Sequence, residues 1–600
     1  MYQSFLNTIS GKNWARVGLN RRAGVAAPLF SIYSKKSIGI GELPDLKLLV
    51  NWCKQSGLSV IQLLPMNDVG THFQPYDPAS GFALEPMYLS LTRLKEVRLK
   101  KFTSEINQLR KQFPTGGKIM NYRIKAAKLG LLWRVFQSRK KSSTSFNQFV
   151  TRNQNWIEDY ACFKVLSEEN LEKSWEVWPE VFKEKRAEAI QQFKQQHSQR
   201  INFYKWLQWQ LYCQFKEMRE YAKRKGVLIM GDLPFLTARN SADVWSYPHY
   251  FKLDLSSGAP PDAYFAKGQR WGTPPCNWEV IAANHYDYVN NRLAYAENFY
   301  DLIRIDHAVG LFRLWSIPIT EPLESGGLNG FFDPRNEQEW EEHGRKLLSV
   351  FLRSKMLACA EDLGTVPECS YKILVEFGVP GIDVQRWARD LNESTTFKSE
   401  TNYRTNSVSM ISTHDMASFQ GWWTYEAGTL YEPLFKRQCE SKGIDFNQAK
   451  QNLFDLERSK YERLRWKEDV TNEHALAARL NKAEYEIRDL IDDYHFSFQE
   501  KQKFLNYIGI KIENPASQDL FKAALVKVSH SSSIFSVQLL IDWLGLAEVF
   551  QKDPWEMRIN FPGTVREKNW SFVVPISLEE MIKLSINREI KEINKQAGRC

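Results

Sequence analysis

The sequence has no run of about eighteen apolar residues, so no membrane-spanning helix is expected. Its opening stretch, MYQSFLNTISGKNWARVGLNRR, has no apolar segment of the kind a secretory leader needs, so none is expected. The eight cysteines, at 53, 162, 213, 276, 359, 369, 439 and 600, include no CxxC pair. That spacing excludes a disulfide framework and a zinc finger, and fits a reduced, cytoplasmic protein. HExxH and EF-hand patterns are absent. So are GxGxxG after the first apolar stretch and GxxxxGK(S/T) anywhere, which removes the fingerprints of dinucleotide and P-loop nucleotide binding. An excess of one charge sign is also lacking. The formal charge of +10 is small against 80 basic and 70 acidic residues. Much of it lies in helical runs such as 139–141 and 219–225, so it reads as solvated helix faces and not as a nucleic-acid surface.

What is present is an ordinary globular composition, 43% hydrophobic, with 13% aromatic residues and 20 Trp among 600. Aromatic rings beside a polar cleft suit sugars, because a pyranose offers an apolar C–H face that stacks on a ring. Eight short apolar stretches recur along the chain: 26–33, 59–64, 227–234, 301–306, 357–364, 381–387, 408–415 and 533–540. Most end abruptly in polar residues, and helical patterns separate them. Such a series is the signature of a parallel sheet and predicts a (β/α)8 TIM barrel with large helical insertions; a doubly wound open sheet is the competing arrangement. The expected division is barrel start at 1–90, an inserted helical subdomain at 91–225, barrel core at 226–429, a second helical insertion at 430–530, and barrel end with a C-terminal helix at 531–600. Trp175 and Trp178 read as packing residues of the first insertion, with a surface sugar platform as the alternative.

The stretch DLIRIDHAVGLFRLW carries the most chemistry. Arg304 and Asp306 are two apart, so on a strand they share a face, and a guanidinium there favours the charged carboxylate that can attack. Alone this could be a structural ion pair. Two further strand ends alter the reading: Glu361 in AEDLG and Asp415 in STHD. In a barrel all three reach the C-terminal face. Three converging carboxylates suit chemistry at a glycosidic carbon. One attacks, a second is kept protonated as acid and later acts as base, and the third stabilises positive charge in the ring. Arg304, His307 and His414 would add hydrogen bonds and balancing positive charge. Polar strand ends without catalysis, and a site for a hard cation or zinc, are the rival readings.

RIDH, AEDLG and STHD, in that order, resemble the 4-α-glucanotransferases (amylomaltases, or disproportionating enzymes). The resemblance runs from about Ala27 to Trp570 and includes GIGELPDL, QLLP, QPYDPASGFALEP, WIEDYACFKVL, KWLQWQLYCQF, GDLP, GAPPDAYFAKGQRWG, PGID, NFPGT and the NW at 569–570. It implies a (β/α)8 barrel and retaining transglycosylation on maltooligosaccharides and glycogen or starch, with no metal, no organic cofactor, and neither nucleic acid nor membrane as partner. It implies Asp306 as nucleophile, Glu361 as general acid/base and Asp415 as transition-state stabiliser. Arg304, His307, His414, Tyr76, Asp232, Gln269 and Trp271 are the implied substrate-binding residues. Arg239 and Asn240 stand before Ser241 where many members have an acidic pair, and Thr273 stands where many have Asn. QLLPMND and the Arg-Asn-Ser run are closer to the plant cytosolic disproportionating-enzyme subgroup, whose N-terminal starch-binding domains are not expected here, since the first strand is placed near residue 26. An α-glucan hydrolase and a non-catalytic glycogen-binding scaffold are the competing functions.

Overall fold

The computed structural model describes residues 2–139, 143–262, 265–390, 395–511, 517–551 and 553–600. Positions 140 and 141 of the basic run, and 263 and 264 of the GAPPDAYFAKGQRWG motif, lie outside them.

Eight parallel strands form the centre: β1 (Arg22–Ala26), β2 (Val60–Gln62), β3 (Leu228–Leu233), β4 (Leu302–Ile305), β5 (Leu357–Ala360), β6 (Gly381–Val384), β7 (Ser407–Met410) and β8 (Phe535–Leu539). Their spatial order is β6-β7-β8-β1-β2-β3-β4-β5, every neighbouring pair parallel. This is the chain order rotated, as a (β/α)8 barrel requires. β2, β4, β5, β7 and β8 are buried along their whole length, as the strands of a closed parallel barrel covered by helices should be, even where Arg304, Ser407, Ser409, Ser536 and Gln538 interrupt the apolar residues. Between β5 and β6 there is no ladder. The seam is bridged by the Ala360 amide donating to the Pro380 carbonyl at 2.7 Å. Asp362 also spans it, accepting from the Ile382 amide at 2.7 Å and from the Arg404 guanidinium. In the wall, a Cβ on Gly24 would lie 2.8 Å from Val60, so only glycine lets β1 approach β2 that closely.

The first strand lies earlier than the expected 26–33. Pro28, with no N–H and φ −62°, cannot continue a ladder, and residues 29–31 turn as a 3-10 helix. The strand itself, RAGVA, is too poor in β-branched residues to stand out, and is selected by pairing with β8 and β2.

After β2, residues 66–86 fold into a loop closed at its base. The Glu85 amide donates to the Met66 carbonyl and the Asp68 amide to the Ala83 carbonyl. Beneath it Asp68 and Glu85, both fully buried, share Lys125 at 2.9 and 2.8 Å; Lys164 and Tyr160 also reach Asp68. The 27-residue helix Ser198–Arg224 then secures the following segment. Gln208, Gln210 and Gln214 are buried, and each side-chain amide both accepts from and donates to the backbone of a single residue: Leu84, Lys95 and Ser90 respectively. The glutamines of KWLQWQLYCQF thus satisfy an extended segment that has no strand beside it.

Trp175 and Trp178 are buried, so they pack. A four-stranded antiparallel sheet (Gln269–Arg270, Leu255–Ala259, Leu314–Pro318, Phe331–Asp333) rises beside the exit of β4. The stretch read as helical from residue 430 also holds a three-stranded antiparallel sheet, Thr429–Tyr431, Arg463–Trp466 and Phe454–Lys460, with its own apolar cluster.

Candidate active site

Arg304 stands at the centre of the carboxyl-end rim. Period-two geometry on β4 puts it on the same side as Asp306, and its Nη1 donates to Asp306 Oδ1 at 2.9 Å. The same nitrogen donates to both oxygens of Asp232, on the adjoining β3, at 2.8 and 2.9 Å. Nη2 lies 3.9 Å from Glu361 Oε2. One buried guanidinium therefore holds three acidic side chains from three consecutive strands.

Glu361 follows β5 directly. Its Oε2 accepts from the His307 amide at 2.8 Å and its Oε1 from the Leu363 amide at 3.1 Å. The chain reaches the first of these only because His307 adopts a left-handed conformation, φ 44°, uncommon for a non-glycine residue. Burial pushes the Glu361 carboxyl up to about 7; Arg304 pulls it down and the charge of Asp306 pushes it further up.

Asp415 lies five residues beyond the end of β7 and is the most open of the three, its side chain 43% exposed. Asn560 Nδ2 donates to its Oδ1 at 2.7 Å, Arg558 donates to its backbone carbonyl at 3.2 Å, and His414 Nε2 lies 3.1 Å from Oδ2. Burial works the other way, but these partners and Arg304 bring Asp415 down to about 2.

The expected site residues come together. Tyr76, from the tip of the 66–86 loop, donates its hydroxyl to Asp232 Oδ2 at 2.6 Å and stacks on the His414 ring at 5.0 Å with 8° between planes. Trp271 meets the His307 ring edge-on at 4.8 Å, and its Nε1 donates to Gln269 at 3.2 Å. Two of them stand differently from the rest. Asp232 is fully enclosed, its oxygens accepting from Arg304 and Tyr76. His307 is driven down to about 4 by burial, so at neutral pH its ring carries no positive charge, and what it brings to Glu361 is its amide.

Three residues carried no assigned role in the sequence: Arg558, Asn560 and Trp570. Trp570 closes the ring wall 5.5 Å from Tyr76 and 5.9 Å from His414. For Asn560 and Trp570 the signal was the NFPGT and NW motifs in the tail, whose meaning depends on the chain returning to β7; Arg558 stands two residues before the first of them. Arg239 and Asn240 point away from the site. Arg239 pairs with Glu176 through Nε and Nη2 at 2.9 and 2.8 Å, and Asn240 accepts from the Trp175 amide. They dock the first helical region onto the β3 loop.

A family model described as 4-alpha-glucanotransferase matches residues 27–577. The 4-alpha-glucanotransferase of Chlamydia pneumoniae is 31% identical over 593 residues, 97% of each chain. The 4-alpha-glucanotransferase DPE2 of Oryza sativa subsp. japonica is 29% identical over 560 residues, 68% of this chain and 59% of that one. Among solved structures, an amylomaltase from Streptococcus agalactiae in complex with acarbose superposes with a TM-score of 0.72 at 21% identity, over 96% of this chain and 99% of that one, a likeness of fold. No described helix is long and apolar enough to cross a membrane. The family match runs unbroken from the end of β1, through all three rim carboxylates, to the tail that supplies Asn560 and Trp570: the chain belongs to the 4-alpha-glucanotransferase family.

Proposed function

We propose that this enzyme cuts an α-1,4-glucan by retaining double displacement and passes the released segment to the 4-hydroxyl of a second sugar. The observation that carries this reading is the Arg304 constellation: one guanidinium between Asp306 and a Glu361 raised to about 7. Among the described residues nothing donates to Asp306 Oδ2, which leaves that oxygen to attack the anomeric carbon. Glu361, about half protonated at neutral pH, gives its proton to the departing glycosidic oxygen. The bond from C1 to that oxygen breaks as the bond from C1 to Asp306 forms. Glu361, now ionised, takes the proton of an incoming 4-hydroxyl, whose oxygen displaces Asp306 and restores the original configuration. Asp415, held ionised, stabilises the positive charge that develops in the ring, and His414 borders the same space. Tyr76, Trp570, Trp271 and Gln269 form the sugar-contacting walls. Maltooligosaccharides and branched or linear α-glucan polysaccharides of the glycogen and starch type are the substrates.

Incubation with maltotriose tests the reading. Transfer yields a ladder of longer oligosaccharides together with glucose, whereas maltose and glucose alone would identify a hydrolase. In Asp306→Ala the ladder disappears. Unchanged redistribution in that variant would remove Asp306 from the role of nucleophile, and binding of glycogen with no product in the wild type would mark a scaffold.

A further inference from the structure

A second aromatic surface lies outside the site. Tyr461 and Glu462 form the tip of the hairpin between Phe454–Lys460 and Arg463–Trp466, both in left-handed conformation, φ 54° and 58°. The Tyr461 ring lies flat on Trp555, centroids 4.6 Å apart with 3° between planes. Tyr425 stands perpendicular to Tyr461 at 4.9 Å and to Trp555 at 6.1 Å. These distances put Tyr425 at the side of the stack. A ring on the outer face of Tyr461 would stand from Trp555 by roughly the sum of the two shorter separations, well beyond what is seen. Among the described residues no other ring or cation meets Tyr461, which is 41% exposed. The Tyr425 and Tyr461 hydroxyls both donate to one oxygen of Asp553, at 3.0 and 2.9 Å, so a fixed carboxylate edges the rings.

This surface is linked to the active site through one side chain. Arg558 lies over Trp555 at 5.2 Å and over Phe561 at 4.8 Å, and its Nη2 donates to the Asp415 carbonyl. One arginine thus separates the stacked rings from a rim carboxylate. Packing does not require an open tyrosine face at a hairpin tip, and the neighbouring polar rim has the character of a sugar contact: an apolar C–H face on the ring and hydroxyls at the carboxylate. We infer that Tyr461, backed by Trp555 and edged by Asp553, is a platform for a remote stretch of a long α-glucan chain, a few glucosyl units from the reacting bond. The inference rests on the transferase reading above and adds a site that favours polymer over short oligosaccharide.

The test compares wild type, Tyr461→Ala and Tyr461→Phe on maltotriose and on glycogen. Removing the ring raises the ratio of KM for glycogen to KM for maltotriose by roughly two- to tenfold, the range set by one aromatic contact. Tyr461→Phe, which keeps the face and loses the hydroxyl, stays close to wild type. In native gels containing glycogen, Tyr461→Ala migrates faster than wild type. An unchanged KM ratio, including the case where both KM values rise together, overturns the platform, as does equal retardation in the gel. The gel reads binding directly, so it judges the platform even if maltotriose gives no ladder; a wild-type ladder with no difference in Tyr461→Ala refutes the platform alone.

Discussion

The raised carboxyl of Glu361 makes the most exacting prediction. An ordinary glutamic acid near 4.5 would be protonated in only roughly one molecule in three hundred at pH 7, whereas at about 7 half are protonated, a gain of about two orders of magnitude in the acid form. The alkaline limb of kcat/KM for maltotriose should therefore fall with an apparent pKa near 7 and lose about tenfold per pH unit beyond it. Glu361→Gln should lower kcat by roughly 10²- to 10⁴-fold and flatten that limb. Stability carries the same signature. The folded carboxyl binds its proton more tightly than the unfolded one, so the stabilisation is complete below about 4.5 and is lost as pH rises through about 7. The side chain is 13% exposed, so little solvent screening applies, and the loss is about 3 kcal/mol. Chemical denaturation of wild type and Glu361→Gln across this range, taken as a difference, isolates that contribution. A limb that persists in Glu361→Gln, or a wild-type apparent pKa near 4.5, would refute both the burial argument and the role of acid.

Asn560→Ala removes the amide on Asp415 Oδ1 and should cost roughly 1.5–3 kcal/mol of charged hydrogen bonding. The Asp415 carboxyl then moves up from about 2, so the acid-side fall in kcat/KM begins at higher pH; an unmoved acid limb counts against the contact. Arg304→Lys cannot place one nitrogen between Asp232 and Asp306 and a second beside Glu361, and kcat/KM should drop by roughly 10- to 100-fold although the positive charge is kept. A variant as active as wild type would reduce Arg304 to a point charge. Lys125→Met removes the cation that the buried Asp68 and Glu85 share, leaving Asp68 with Lys164 and Tyr160, and should destabilise by about 3–5 kcal/mol, read as a fall in unfolding midpoint. KM for maltotriose should also rise, because the loop carrying Tyr76 is anchored there; an unchanged KM in the folded fraction would separate the network from the site.

Much of the barrel could be read from the chain because its strands are buried on both faces and end where the polypeptide meets the polar rim. That transition is written locally as an apolar run followed by charge, at Ile305–Asp306 and Ala360–Glu361. The shared face of Arg304 and Asp306 follows from strand period alone. The hairpin at 454–466 was not legible as strand, because only Phe454 is buried along its first arm and the rest reads as a charged helix.

By itself, then, the sequence determined which carboxylates follow which strands, since that depends on neighbours a few residues away. Only the tertiary structure decided what those carboxylates are. Asn560 and Arg558 reach Asp415 across about 145 residues, and the amide that grips Glu361 comes from another strand's exit. Asp232 is enclosed because Arg304 and Tyr76 reach it from two sides. Proton affinity depends on burial and on charges that arrive from elsewhere in the fold, and neither is written in a residue's own surroundings along the chain.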